Sequence, residues 1–204
     1  MKTQTTRTMA LVRLALLVAI ELIMAVTPLG YLRTAGLEIS FLMVPVTLGA
    51  ILLGPLAGAV LGGVFGVSSF LAAFSSAFGA PLLALNPFLT FVVCFVPRVL
   101  AGWLPGLLVR AMTQNPQKSK MPAFAAAGII APVLNTVLFM SALLLFFYNS
   151  QPMQAIAAAL GTSNVIAFFG AFVGVQGLVE AGVCFAICLP LSVALNRVIK
   201  TDPN

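Results

Sequence analysis

Apolar residues in this chain run in long blocks broken by short polar stretches. A bilayer core takes roughly 20 apolar residues per helix. Six blocks meet or approach that length, at about 9–27, 41–53, 56–74, 87–112, 122–148 and 164–199. Pro28 and Gly30 close the first. Gly54–Pro55 divides the second from the third, which together would be too long for one span. Pro45 falls in the first turns of the second helix, where a missing N–H costs least. The sixth block exceeds what a membrane needs, and Pro190 inside it predicts a kink. The stretches 30–40, 75–85 and 149–163 read as loops, the last with room for a short surface helix. Strand alternation is absent, which argues against a β-barrel. The pattern predicts an all-α membrane protein: one six-transmembrane-helix bundle covering residues 1–204.

Composition agrees. Charged residues make up 7% and hydrophobic ones 61%, whereas a soluble domain carries about a quarter charged residues. Six spans place both termini on one side. Of the ten Lys and Arg, eight fall there: Lys2, Arg7, Arg13, Arg110, Lys118, Lys120, Arg197 and Lys200. Arg33 falls on the other side and Arg98 within a span. By the positive-inside rule the N and C termini are cytoplasmic, and the three loops face outward. The net charge of +6 thus sits at segment ends, as topology signals do, not in a nucleic-acid stripe. The signal-peptide pattern of n-region, short h-region and cleavage site does not open the chain, and the first block is long enough to span, so it reads as a membrane helix.

Candidate chemistry is sparse. Cys94, Cys184 and Cys188 lie in apolar runs without paired spacing and read as buried thiols. His is absent, which removes the commonest metal ligand and acid–base group. The run GGVFGVSS at 62–69 lacks the Lys of a P-loop, so no nucleotide motif is present and no metal or cofactor site is indicated. With Glu21, Glu180, Arg98 and scattered Cys and Ser as its only candidates, a membrane-embedded enzyme has no catalytic constellation.

What remains is polar residues at depth, and each is costly in lipid. Counting from the outer helix ends, Arg98 lies roughly 16 Å down, Asn135 roughly 20 Å, and Gln176 and Glu180 roughly 18 and 24 Å. Glu21 is shallower, at about 10 Å. Three helices therefore bring polar groups toward one level. Arg98 either pairs with Glu180 as a brace or receives a ligand carboxylate through its planar fork, and the two roles are compatible. Asn135 and Thr136 either bond between helices or contact a ligand. Gly54, Gly58, Gly62 and Gly66 recur every four residues and predict close helix packing. Ala15 and Ala19 form a similar strip, whose spacing alone favours packing inside the bundle.

Taken in order, these features resemble the substrate-binding S components of energy-coupling factor (ECF) vitamin transporters. The resemblance is carried by the Ala15/Ala19 strip, LGPLAGAVLGGVFG at 53–66 and VPRVLAG at 96–102. It continues through the Asn135–Thr136 pair and Glu180 followed by Pro190, and so covers most of the chain. It implies a bacterial plasma-membrane protein that binds a vitamin or precursor in an outward-opening pocket. It further implies docking on a transmembrane scaffold subunit driven by two cytoplasmic ATPases, which hydrolyse the ATP. Under it, Ala15 and Ala19 become the docking face, which reverses the reading from spacing.

Within the family the chain looks closest to the pantothenate-specific type. Flat aromatic vitamins are gripped by stacking. Here Trp103 falls toward the inner half of its helix, and of the aromatic residues with a polar tip only Tyr31 and Tyr148 lie at the outer end. Pantothenate offers a carboxylate, an amide and hydroxyls. Arg98 or Arg33 suits the first; Asn86, Asn135 and Thr136 suit the rest. The expected substrate site is Tyr31, Arg33, Asn86, Arg98, Asn135, Thr136, Gln176 and Glu180. The alternatives are an S component for cobalamin or folate, or an independent secondary transporter, although no inverted repeat is evident.

Overall fold

The computed structural model describes residues 2–27, 30–34, 37–76, 78–114, 119–159 and 165–201. Helix α1 (Lys2–Val26) leads into a two-stranded antiparallel hairpin, β1 (Tyr31–Thr34) and β2 (Leu37–Ser40), with Tyr31 opposite Ser40 and Thr34 opposite Leu37. There follow α2 (Met43–Leu52), α3 (Pro55–Ala73), α4 (Gly79–Leu85), α5 (Pro87–Met112), α6 (Met121–Phe147), α7 (Gln151–Ala159) and α8 (Val165–Thr201). Segments in α1, α3, α5, α6 and α8 are long and apolar enough to cross a membrane. With the shorter α2 they form the all-α membrane bundle that the hydrophobic pattern predicts. Lys118 and Pro28 lie outside the described residues.

Three expectations are corrected. The segment expected as a loop holds a hairpin, in which residues 31–34 and 37–40 pair with each other. Residues 75–85 are not all loop, because GAPLLAL folds as α4. Its Leu82 is buried in a cluster with Val93, Met140, Leu143, Phe147 and Met153, and this burial overrides the Gly and Pro of the segment. Finally, the block at about 41–53, expected as a span, folds as the shorter helix α2, Met43–Leu52. At about 1.5 Å per residue it is too short to span unaided, and eight of its residues, from Met43 to Ile51, are buried.

Gly54 and Pro55 make the turn between α2 and α3. Gly54 has φ +97°, a conformation that side chains disfavour, and Pro55 opens α3 where its missing N–H is harmless. The next three members of the glycine series bring α3 onto α5 backbone to backbone. A Cβ at Gly58 would overlap the Gly102 carbonyl, one at Gly62 the Arg98 carbonyl, and one at Gly66 the Phe95 Cα. The three thiols are buried and free, with Cys184 Sγ and Cys188 Sγ 3.6 Å apart and the Thr47 hydroxyl 3.4 Å from Cys184.

Candidate functional site

The site is built around a proline followed by an arginine. Pro97 has no N–H, so it cannot supply the helical hydrogen bond that the Val93 carbonyl would otherwise accept. Arg98 supplies one instead: its Nη1 donates to Val93 O at 2.9 Å. Its Nη2 donates to the Ser69 hydroxyl on α3 at 3.4 Å, which is long for an N–H···O bond. The guanidinium lies 4.1 Å from the Phe139 ring centroid on α6 and 5.5 Å from that of Phe65 on α3. Cation–π contact of this kind strengthens as the cation is desolvated, and Arg98 is only 7% exposed. One guanidinium thus repairs a break in α5 and ties α5 to α3 and α6.

Asn135 and Thr136 are both buried on α6. The Thr136 hydroxyl bonds back to the Pro132 carbonyl at 3.0 Å. The Asn135 side-chain oxygen is buried without a hydrogen-bond partner among the described residues. Gly128 of α6 packs on Phe185 and Cys188 of α8. Counting two turns from that contact toward the hairpin end along both antiparallel helices puts Asn135 level with Glu180. Phe139, against which Arg98 lies, is one turn further. Buried polar groups from α5, α6 and α8 therefore gather within about two helical turns.

Glu180 has a second connection. Its Oε1 accepts the Ser40 N–H at 2.8 Å and so anchors the end of the hairpin to α8. Asn86 is the exposed cap between α4 and α5, and its Oδ1 accepts the Leu89 N–H at 3.1 Å. The strand carrying both Tyr31 and Arg33 is described, as is the helix carrying Gln176, but the side chains of all three lie outside the described residues. Ala15 and Ala19 are exposed on the side of α1 turned away from the bundle, so the expectation from spacing, packing within the bundle, is overturned. Sequence reasoning also missed Ser69, Phe65 and Phe139. Nothing in their local pattern marks them, since each matters through a contact with a distant helix.

A bundle of long apolar helices with buried polar groups gathered near one level defines a multi-pass membrane protein. The chain matches the sequence profile of the family described as "ECF transporter, substrate-specific component" over residues 9–192, and it belongs to that family. It is therefore a substrate-binding subunit of a transporter, not an enzyme, and works with an ECF module. No curated protein sequence matches it.

Proposed function

We propose that the chain binds pantothenate from the outer side of a bacterial plasma membrane and delivers it through an ECF module. That module consists of a transmembrane scaffold and two cytoplasmic ATPases, which hydrolyse the ATP. Both termini face the cytoplasm, as the distribution of Lys and Arg requires. The observation that carries this reading is the buried polar level formed by Arg98, Asn135, Thr136 and Glu180 on three helices. Arg98 holds the floor through Val93 O and offers its other edge, now on a long bond to Ser69, to a carboxylate. Asn135 brings an acceptor, without a partner among the described residues, for the ligand's amide or hydroxyl. Tyr31 and Arg33 on the hairpin, Asn86 at the outer end of α5 and Gln176 two turns or more down α8 complete the site. Glu180, through Ser40, holds the hairpin as a lid. The exposed Ala15/Ala19 strip is the face that docks on the scaffold.

The test is equilibrium binding of pantothenate to the purified chain without ATP, with uptake measured in vesicles with and without the ECF module. Saturable binding, and uptake only with the module, is the expected result. Tight binding of cobalamin or folate with none of pantothenate would remove the substrate and keep the class. Uptake by the chain alone would overturn the dependence on the module.

A further inference from the structure

The chain has four acidic residues, Glu21, Glu38, Glu180 and Asp202. Glu21 is 0% exposed, and neither of its carboxyl oxygens has a hydrogen-bond partner among the described residues. It sits in the middle of the α1 face that carries Leu17, Val18, Met24 and Ala25, which packs on the cluster containing Val46, Leu61 and Phe65. The helices packed against that face, α2 and α3, carry no titratable side chain. A Cβ at Gly49 would meet the side chains of both Leu17 and Leu61, so these two residues share a level. One turn on along the parallel helices α1 and α3 come Glu21 and Phe65. The Arg98 guanidinium lies 5.5 Å from the Phe65 ring centroid.

A buried acceptor needs a donor, and one held at membrane depth is costly to keep without one. No described side chain or backbone group supplies it. We propose that Glu21 is a specificity-determining residue that accepts hydrogen bonds from a hydroxyl, amide N–H or ammonium group of the carried molecule, while Arg98 holds that molecule's anionic group. The inference rests on the binding role proposed above and deepens it. It restricts the substrate to an organic acid that also carries hydrogen-bond donors, and it excludes a simple fatty acid. Phe65, level with Glu21 by helical count and 5.5 Å from the Arg98 guanidinium, would have to shift for one ligand to reach both groups.

The test compares wild type, Glu21→Leu and Glu21→Gln. Binding of radiolabelled pantothenate is measured alongside mass spectrometry of the small molecules each chain retains. Glu21→Leu is expected to bind about tenfold more weakly or worse. Its unliganded melting temperature should equal or exceed that of wild type, because an orphan polar group has gone. Glu21→Gln keeps one acceptor and loses less. The ligand-induced rise in melting temperature shrinks in the same order, a readout that a purely structural role would not move. Wild-type affinity in Glu21→Leu overturns the proposal. Should that variant fail to fold, Glu21→Met, of similar length and without acceptor oxygens, carries the same test. If wild type retains a molecule other than pantothenate, the substrate reading falls and the variants are compared on that molecule. A wild-type chain that binds and retains nothing overturns both.

Discussion

Two strips of small residues repeat every four positions, and the fold uses them in opposite ways. Gly58, Gly62 and Gly66 are spent inside, where α3 meets the α5 backbone with no room for a methyl group. Ala15 and Ala19 are exposed, on the outward side of α1. The spacing is the same, so spacing does not tell an internal contact from a surface left for another chain. The difference lies in what stands opposite. Gly58 meets Gly102, small against small, and Gly62 meets the backbone of Arg98. The Ala strip is flanked instead by exposed Leu11, Leu16 and Ile23. The contrast recurs between neighbours on one helix. A Cβ at Gly62 would strike backbone, whereas one at Gly63 would make ordinary contact with the Phe95 ring at 3.6 Å.

Substitutions can break that comparison, and the largest effect is expected at Gly62. Gly62→Leu should cost about 3 kcal/mol or more, because rigid backbone leaves the side chain nowhere to go. Circular dichroism melting in detergent checks this, and a wild-type melt would mean that α3 and α5 are not in backbone contact. Next comes Arg98→Ala, which removes the donor to Val93 O and both ring contacts. A loss of about 2–4 kcal/mol is expected. Arg98→Lys should recover part of the stability but not affinity for an acidic ligand, since a point charge cannot present two parallel donors. Equal losses of affinity for the acid and for its amide analogue on going from wild type to Arg98→Ala would make the residue a brace only.

Ala19→Phe probes the outward strip. Melting temperature and ligand binding should stay at the wild-type level while ATP-dependent uptake with the ECF module falls by about tenfold or more. Lost binding with intact complex assembly would move the docking face elsewhere. The smallest effect is expected at Gly63→Ala, a gain of up to about 1 kcal/mol from lower backbone freedom in a helix interior. Destabilisation as large as that of Gly62→Ala would abolish the distinction between the two neighbours.

The same division governs how much of the protein is legible in its sequence. Pro97–Arg98 is visible as an anomaly, a charge after a helix breaker in an apolar run. The pairing that makes sense of it, Arg98 with the Val93 carbonyl, is local and could have been read from the rule that proline orphans the carbonyl four residues back. The contacts with Ser69, Phe65 and Phe139 could not, because they join helices far apart in the chain. Glu21 was visible as a buried acid, yet only packing showed that α2 and α3 give it no donor.

The sequence by itself determined the class, the helices and their approximate ends. A membrane forces each backbone to satisfy its own hydrogen bonds, so helix length and apolar pattern are local properties. Tertiary structure alone decided that the end of the hairpin is anchored to Glu180 on α8, that α4 folds on buried Leu82, and which small-residue strip is consumed and which is left open. Those outcomes depend on shape meeting shape across the bundle, and helices in lipid associate by such packing instead of a general hydrophobic drive.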